Sequence, residues 1–365
     1  MNLEKAVLLL GRRDEPVDGV ADYCEKLRDA GVRHGLEFEL FHVEWAKEGW
    51  GPALAELRRA AAAWRNRWVL LQYTTLAWSR RGFTLRAPRV LDVLQQSGAK
   101  PGVVFHDFMP ALGSGIAGGV REYCQFNVLR QLFARSNLSI FTIPVENLTW
   151  LPPQHDKARF IPVGSNFPEI QYQTKDEDVT LPPVSTVAVF GITGGSVGDR
   201  EVADIVYALK AAQARGIRLR LAAIGRGAEV FEGTLRNALS GSGIELSMQG
   251  LMTADELIRS LASAQVQLCV RGHVSSRRGS AIAGIVCGLP IVGYRGMETG
   301  FPITEAGTKL VEVNDRDGLV EALYEVLSNE NVLRELRQRS AVAALKYFSW
   351  DAIASQFHSA ISAAR

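Results

Sequence analysis

Residues 275–294 read SSRRGSAIAGIVCGLPIVGY: two serines, two arginines, a Gly-Ser pair, then fourteen residues without a charge. The uncharged run is too short to cross a bilayer, which takes about 20 apolar residues, and Gly288 and Pro290 interrupt it. AIAGIVC reads as a helix of small residues, Gly-Leu-Pro as a tight turn, and IVGY as a buried strand. Just upstream, VQLCV (266–270) is another apolar run of strand length. Strand, loop, helix and strand in succession form the repeating unit of a parallel sheet.

The same cycle runs through the rest of the chain. KAVLLLG (5–11), FELFHVEW (38–45), WVLLQY (68–73) and GVVFHD (102–107) read as strands. Between them lie helical patterns at 20–35, 53–66 and 85–99. Strands that are apolar throughout belong to parallel sheets covered on both faces. LPPQHDKARFIPVGSNFPEIQYQTKDEDVTLPPV (151–184) then breaks the cycle with six prolines and a charged run, the composition of a linker. VAVFGITGG (187–195) restarts it, followed by a helix at 199–214, the strand-like LRLAAIG, a helix at 254–264, VQLCV and PIVGY. The expected architecture is α/β: two doubly wound, Rossmann-like parallel-sheet domains facing a cleft. The N-terminal domain covers 1–165, a Pro-rich linker 166–185 and the C-terminal domain 186–348. An amphipathic helix over 349–365 packs back on the first domain.

Composition narrows the functional class. With 365 residues, one hydrophobic core is improbable. A formal net charge of +2 gives no nucleic-acid signature. The balance is uneven: residues 1–165 hold 21 Lys+Arg against 17 Asp+Glu, the remainder 20 against 22. The arginine doublets 12–13, 58–59 and 80–81 make the first half mildly basic, which favours an anionic substrate or peripheral contact with a lipid surface. Cys24, Cys124, Cys269 and Cys287 form no CxxC pair, the usage of a reduced, cytoplasmic protein. AVLLL (6–10), followed at once by Arg12 and Arg13, is too short for a signal-peptide core.

In open parallel sheets, ligands bind beyond the carboxyl ends of the strands, where loops feed helix N-termini. Four loops meet that description. In GRRDEPVDGVADY (11–23), Gly19 lets a ligand approach the backbone, while Asp18 or Asp22 is suited to cap the helix. In FHDFMP (105–110), His106 and Asp107 end a strand, where a histidine can bond a hydroxyl or move a proton. In VFGITGGSVGDRE (189–201), Gly194 and Gly195 offer backbone N–H groups, although no lysine follows as in a P-loop. In the opening stretch, Arg277 and Arg278 precede a helix start at Gly279 and Ser280, a combination suited to a diphosphate. Asp315-Arg-Asp317 resembles a metal-binding pair but opens a helix, where Asp is a normal cap. Asp176-Glu-Asp178 lies in the linker, so no metal is expected.

These loops, in this order, resemble the retaining glycosyltransferases of the GT-B fold, in particular glycosyltransferase family 4. The resemblance spans almost the whole chain. DGVADYCEKL is similar to the family's glycine loop and first helix, VFHD to its strand-end histidine, and RFIPVGSNFP to its interdomain crossing. LAAIGRG, LSMQGLMTADELIRSLASAQVQLCV, CGLPIVGY and KLVEVNDRDGLVEALYEVLSN resemble its second domain. The resemblance implies a metal-independent hexosyltransferase that needs no cofactor and takes a nucleotide-diphosphate sugar as co-substrate. The acceptor would be a sugar, a lipid-linked sugar or a small molecule. It further implies that Gly19 approaches the donor phosphates and that His106, with Asp107, works at the transferred sugar. Arg277 to Ser280, with Gly194, Gly195 and Arg226, would hold the diphosphate, and Gly250 and Leu251 would lie near the nucleotide. Two departures stand out. The family's glutamate pair, spaced E-x7-E with the second on the ribose, falls on Ser275 and Ala283. The Arg and Lys usual after the second domain's first strand are replaced by Gly191-Ile192 and the GGS turn. Loops 74–84 and 108–121 would meet the acceptor, with Trp78, Phe83, Phe108 and Met109 either stacking on it or packing in the core. An epimerase or hydrolase on the same fold, or a non-catalytic scaffold protein, is the alternative.

Overall fold

The computed structural model of the protein describes residues 3–13, 18–110, 115–165 and 180–364. Most of the expected linker, 166–179 with Asp176 and Asp178, lies outside the described residues. The chain divides into two compact units: Met1–Pro162 together with Trp350–Arg365, and Val163–Ser349.

The first unit runs β1 (Glu4–Leu10), α1 (Gly19–Gly31), β2 (Leu36–His42), α2 (Trp45–Glu48), α3 (Trp50–Ala61), β3 (Trp68–Tyr73), α4 (Thr75–Trp78), α5 (Ala87–Gln96), β4 (Lys100–Phe105), α6 (Gly115–Arg135), β5 (Leu138–Phe141) and β6 (Ala158–Phe160). All strand pairs are parallel, in the order β2-β1-β3-β4-β5-β6. The register sets Leu8 between Leu40 and Leu70, which stacks apolar side chains in rows across the sheet. Every residue of β3 is buried, so it can lie only in the middle of a covered sheet. Each buried Val or Leu there contributes about 1.5–3 kcal/mol. β6 sits inside the proline-rich stretch 151–184, which is therefore not linker throughout. It is short because it is an edge strand with β5 as its partner.

The second unit runs β7 (Ser185–Phe190), α7 (Gly195–Ala214), β8 (Leu219–Ile224), α8 (Glu232–Leu239), β9 (Glu245–Gln249), α9 (Ala254–Ala262), β10 (Val266–His273), α10 (Gly279–Val286), β11 (Ile291–Arg295), β12 (Thr308–Glu312), α11 (Arg316–Ser328) and α12 (Glu330–Ala343). Its sheet is also parallel, in the order β12-β11-β10-β7-β8-β9. The sequence of 275–294 folds as read, into loop, α10, a turn at Gly288 and β11. Ile282, Ala283 and Ile285 of α10 are wholly buried. α7 starts at Gly195, four residues earlier than the periodicity placed it.

Helix α13 (Trp350–Ala363) returns to the first unit and lies along α1. Trp350 meets Tyr23 edge-on at 5.1 Å and Phe357 meets Phe38 at 6.5 Å. Among the described residues no helix is long and apolar enough to cross a membrane.

Candidate functional site

Each sheet has one place where the chain reverses the direction in which strands are added. In the first unit it lies between β1 and β3, in the second between β7 and β10. The loops that leave such neighbours diverge and open a crevice at the strands' carboxyl ends. A cavity lies at each.

In the second unit the crevice is built from three loops. Gly191, at φ +81, turns the chain out of β7. The loop is then laced to the end of β8, with Gly191 N donating to Ile224 O at 2.9 Å and Ile192 N to Arg226 O at 3.1 Å. Glu201 of α7, 5% exposed, accepts from Thr193 N at 2.8 Å and fixes the glycine turn from below. Opposite, β10 keeps register with β11 only as far as Cys269 and resumes it at His273. The extra residues form a bulge, a device that re-aims side chains at strand ends. Arg271 stands in that bulge, its guanidinium over Gly191. The third loop, 274–278, leads into α10.

Arg277 and Arg278, adjacent in sequence, have different surroundings. Arg277 forms a two-point fork with Glu298, Nε to Oε2 at 3.0 Å and Nη2 to Oε1 at 2.7 Å. Ser275 Oγ donates to the same carboxylate at 3.3 Å. Burial alone would raise the Glu298 pKa, but the Arg277 bond and the charges of Arg277 and Arg278 outweigh it and lower it. Arg278 instead lines the cavity with Arg271, His273, Ser280 and the end of β7. Its guanidinium lies against Gly272, and its buried Nε has no hydrogen-bond partner among the described residues. Burial lowers its pKa, Glu298 pulls the other way, and the charges of Arg277 and Arg271 lower it further. A half-buried cation with one unsatisfied N–H, beside another arginine, is stabilised by an incoming anion.

Helix ends sharpen the same point. The first N–H groups of a helix need partners from outside it. α9 has a full capping box from Thr253 and Glu256, α11 is capped by Asp315 and α12 by Asn329. α8 continues from a short 3-10 turn. α10, whose first turn lines the cavity, and α7, which follows β7 through the glycine turn, have no side-chain cap. The cavity itself is narrow, about 10 Å³, room for a single water.

The other predicted residues fall around this centre unevenly. Gly194 is the N-cap of α7, and Arg226 is exposed after β8. Gly279 is exposed and Ser280 half-buried. Ser275 and Ala283 have no exposed surface, so neither presents a side chain to a ligand. Gly250 is overlain by the Glu229 carboxylate, and Leu251 is 79% exposed. Arg271 was missed by the sequence reading. Its signal was its place just past the apolar VQLCV, at the carboxyl end of a strand.

The first unit's crevice is a larger cavity, about 280 Å³, lined by residues of 10–12, 18–20, 72–77 and Asp107. Its carboxylates and the Gln72 amide are already engaged, and Arg12 also lines it. Asp18 caps α1, accepting from Val20 N at 3.0 Å and Ala21 N at 3.1 Å. Asp107 accepts from Thr75 N at 2.7 Å. Gln72 Nε2 donates to Leu70 O at 3.1 Å, which leaves Oε1 to accept from His106 Nε2 at 2.9 Å. His106 is therefore a donor at Nε2 and is braced by the edge of Tyr23 at 5.0 Å. Of the aromatic and sulfur side chains expected at the acceptor, Trp78 and Phe108 are buried and Met109 packs against the core, while Phe83 is exposed. Among the described residues no three His, Cys, Asp or Glu side chains come together in a way that could hold a metal. All four cysteines are free.

No protein-family profile matches the sequence, and no curated protein matches it. Solved structures do resemble the fold. HepE of Anabaena in complex with UDP and glucose is 13% identical, matched over 99% of this chain and 100% of that one, with a TM-score of 0.66. Sucrose-phosphate synthase of Thermosynechococcus elongatus is 17% identical over 99% and 100%, with a TM-score of 0.65. A Listeria monocytogenes protein assigned as a UDP-N-acetylglucosamine 2-epimerase is 12% identical over 99% and 96%, with a TM-score of 0.61. With two six-stranded parallel sheets flanked by helices, the chain has the GT-B fold that its sequence led us to expect.

Proposed function

We propose that the protein is a glycosyltransferase that moves a sugar from a nucleotide-diphosphate donor to an acceptor hydroxyl. In this reading the anomeric configuration is retained, no metal or cofactor takes part, and the work belongs to cytoplasmic glycan, glycolipid or glycosylated-metabolite synthesis. The observation that carries the reading is the pairing of Arg271 and Arg278 with the uncapped starts of α7 and α10 at the β7/β10 switch point. As the glycosidic bond of the donor breaks, negative charge grows on the diphosphate. Fixed donors and cations aimed at that charge stabilise the transition state without reorganisation. The cavity holds no more than a water, so the diphosphate would sit at its mouth, across the guanidinium edges. Arg277, engaged by Glu298, would shape the loop rather than bind the donor. In the first unit, the cavity of about 280 Å³ beside Asp107 would receive a polyhydroxylated ligand, with His106 held close to it through Gln72. The likeness to HepE, solved with UDP and glucose, supports a uridine nucleotide as the first donor to try.

The test is calorimetric titration with UDP and GDP on wild type, Arg271→Ala and Arg278→Ala. One of the nucleotides should bind, and each variant should weaken it at least tenfold, the scale of one charge-assisted hydrogen bond. Absence of binding by any nucleotide overturns the reading. Incubating UDP-sugars without an acceptor guards against the epimerase alternative: turnover to an epimer would replace transfer as the activity.

A further inference from the structure

The positive balance of the first unit is concentrated. From Leu57 to Leu91 the chain carries eight arginines and no acidic residue. Four of these, Arg80, Arg81, Arg86 and Arg89, lie between α4 and the first turn of α5, and all are exposed. Arg80 donates to Ala46 O at 2.7 Å. Among the described residues none of the four is paired with a carboxylate.

The loop that carries them is fixed on one side and bare on the other. Gly82 and Thr84 are buried, while Arg81, Phe83 and Leu85 between and beside them are exposed. Gln125 of α6 donates to Gly82 O at 2.8 Å, and Thr84 Oγ1 bonds the Tyr73 hydroxyl at 3.0 Å. Those inner anchors thrust the alternate side chains outward. Phe83 is 40% exposed and Leu85 54%. Tyr123, on the helix that supplies Gln125, is 73% exposed.

Large apolar side chains held in water by a well-anchored loop mark an interaction surface. Flanking arginines without acidic partners fix its chemistry. A soluble polyanion would satisfy the guanidinium groups but leave Phe83 and Leu85 in water. A bilayer with anionic headgroups answers both, with phosphates for the arginines and the acyl boundary for the apolar pair. We propose that loop 79–89 docks the protein on an anionic phospholipid surface. This surface is independent of the donor-site residues and does not rest on the sugar-transfer reading.

The experiment is co-sedimentation of the full chain with vesicles of phosphatidylcholine alone and with about 30% phosphatidylglycerol, at low and high salt. Binding should appear with the anionic vesicles and fall as salt rises. Arg81→Ala with Arg86→Ala should lower partitioning by about 25-fold, roughly fivefold for each arginine near the surface. Phe83→Ser with Leu85→Ser should also weaken it. Because all four side chains are exposed, the melting temperature and UDP affinity of these variants should match wild type. Failure to bind anionic vesicles overturns the proposal. So does binding that needs the arginines but is unchanged in the Phe83/Leu85 variant, which would identify a soluble polyanion as the ligand.

Discussion

The two sheets reverse at equivalent places and furnish them differently. At β1/β3 the cavity is wide and its carboxylates are occupied by the fold itself, Asp18 on α1 and Asp107 on the Thr75 N–H. At β7/β10 the cavity is narrow, and Arg271 and Arg278 stand there with the uncapped start of α10. Topology chooses where a ligand can bind; whether the local polar groups are already satisfied decides what kind of ligand. A capped helix beside carboxylates that the fold already holds suits hydroxyls. An uncapped helix beside clustered arginines suits an anion.

The contrast predicts its largest effect in binding. Arg271→Ala combined with Arg278→Ala should cost at least about 100-fold in UDP affinity, the combined scale of two charge-assisted bonds. Asp18→Ala, in the other crevice, should leave UDP affinity within about twofold. Calorimetry on the two proteins decides: equal losses would mean that the crevices are not chemically distinct. The next effect is on stability, and glycines report it. An added Cβ at Gly198 of α7 would stand 1.8 Å from Thr193 O and 2.5 Å from the Phe231 ring. Backbone cannot yield cheaply, so Gly198→Ala should destabilise by about 3 kcal/mol. At Gly19, which starts α1, nothing lies within 4 Å, and Gly19→Ala should leave the urea midpoint unchanged. A matching loss at both positions would show that the first crevice is as tightly closed as the second. Smaller again is the cap. Asp18→Ala removes the acceptor for two N–H groups and should cost about 1 kcal/mol, read as a lower midpoint.

How much of this was legible depended on how completely each segment is buried. WVLLQY and VQLCV are apolar along most of their length because both faces of the central strands are covered, and both were placed within a few residues. β9, β12 and β6 are edge strands with half-exposed residues, so ELSMQ, TKLVE and ARF carry no continuous apolar run. LSIF of β5 is interior but only four residues long. α6 opens with GIAGG, poor helix formers, and its periodicity is weak. At the site, a location at strand ends was enough to single out Arg277, Arg278 and His106. Sequence could not separate Arg277 from Arg278, because the distinction is made by Glu298, twenty-one residues beyond Arg277. Nor could it find Arg271, which faces the cavity through a bulge that exists only once β10 pairs with β11.

That division between neighbouring arginines gives the smallest and most specific prediction. Glu298 keeps a lowered pKa because its ionised form is the one that Arg277 grips. A carboxyl whose folded pKa is depressed contributes stability above its unfolded pKa, near 4.5, and loses it as pH falls through the folded value. Wild type should therefore be more stable than Glu298→Gln at neutral pH. Because both side chains retain some exposure, 32% for Arg277 and 19% for Glu298, the difference should be at most about 1 kcal/mol. Urea midpoints taken from pH 7 down to about pH 3 should converge as Glu298 protonates. If the gap widens in acid, the carboxyl is already protonated in the folded protein. Arg277 would then be as available to an anion as Arg278, and the contrast between the two arginines would collapse.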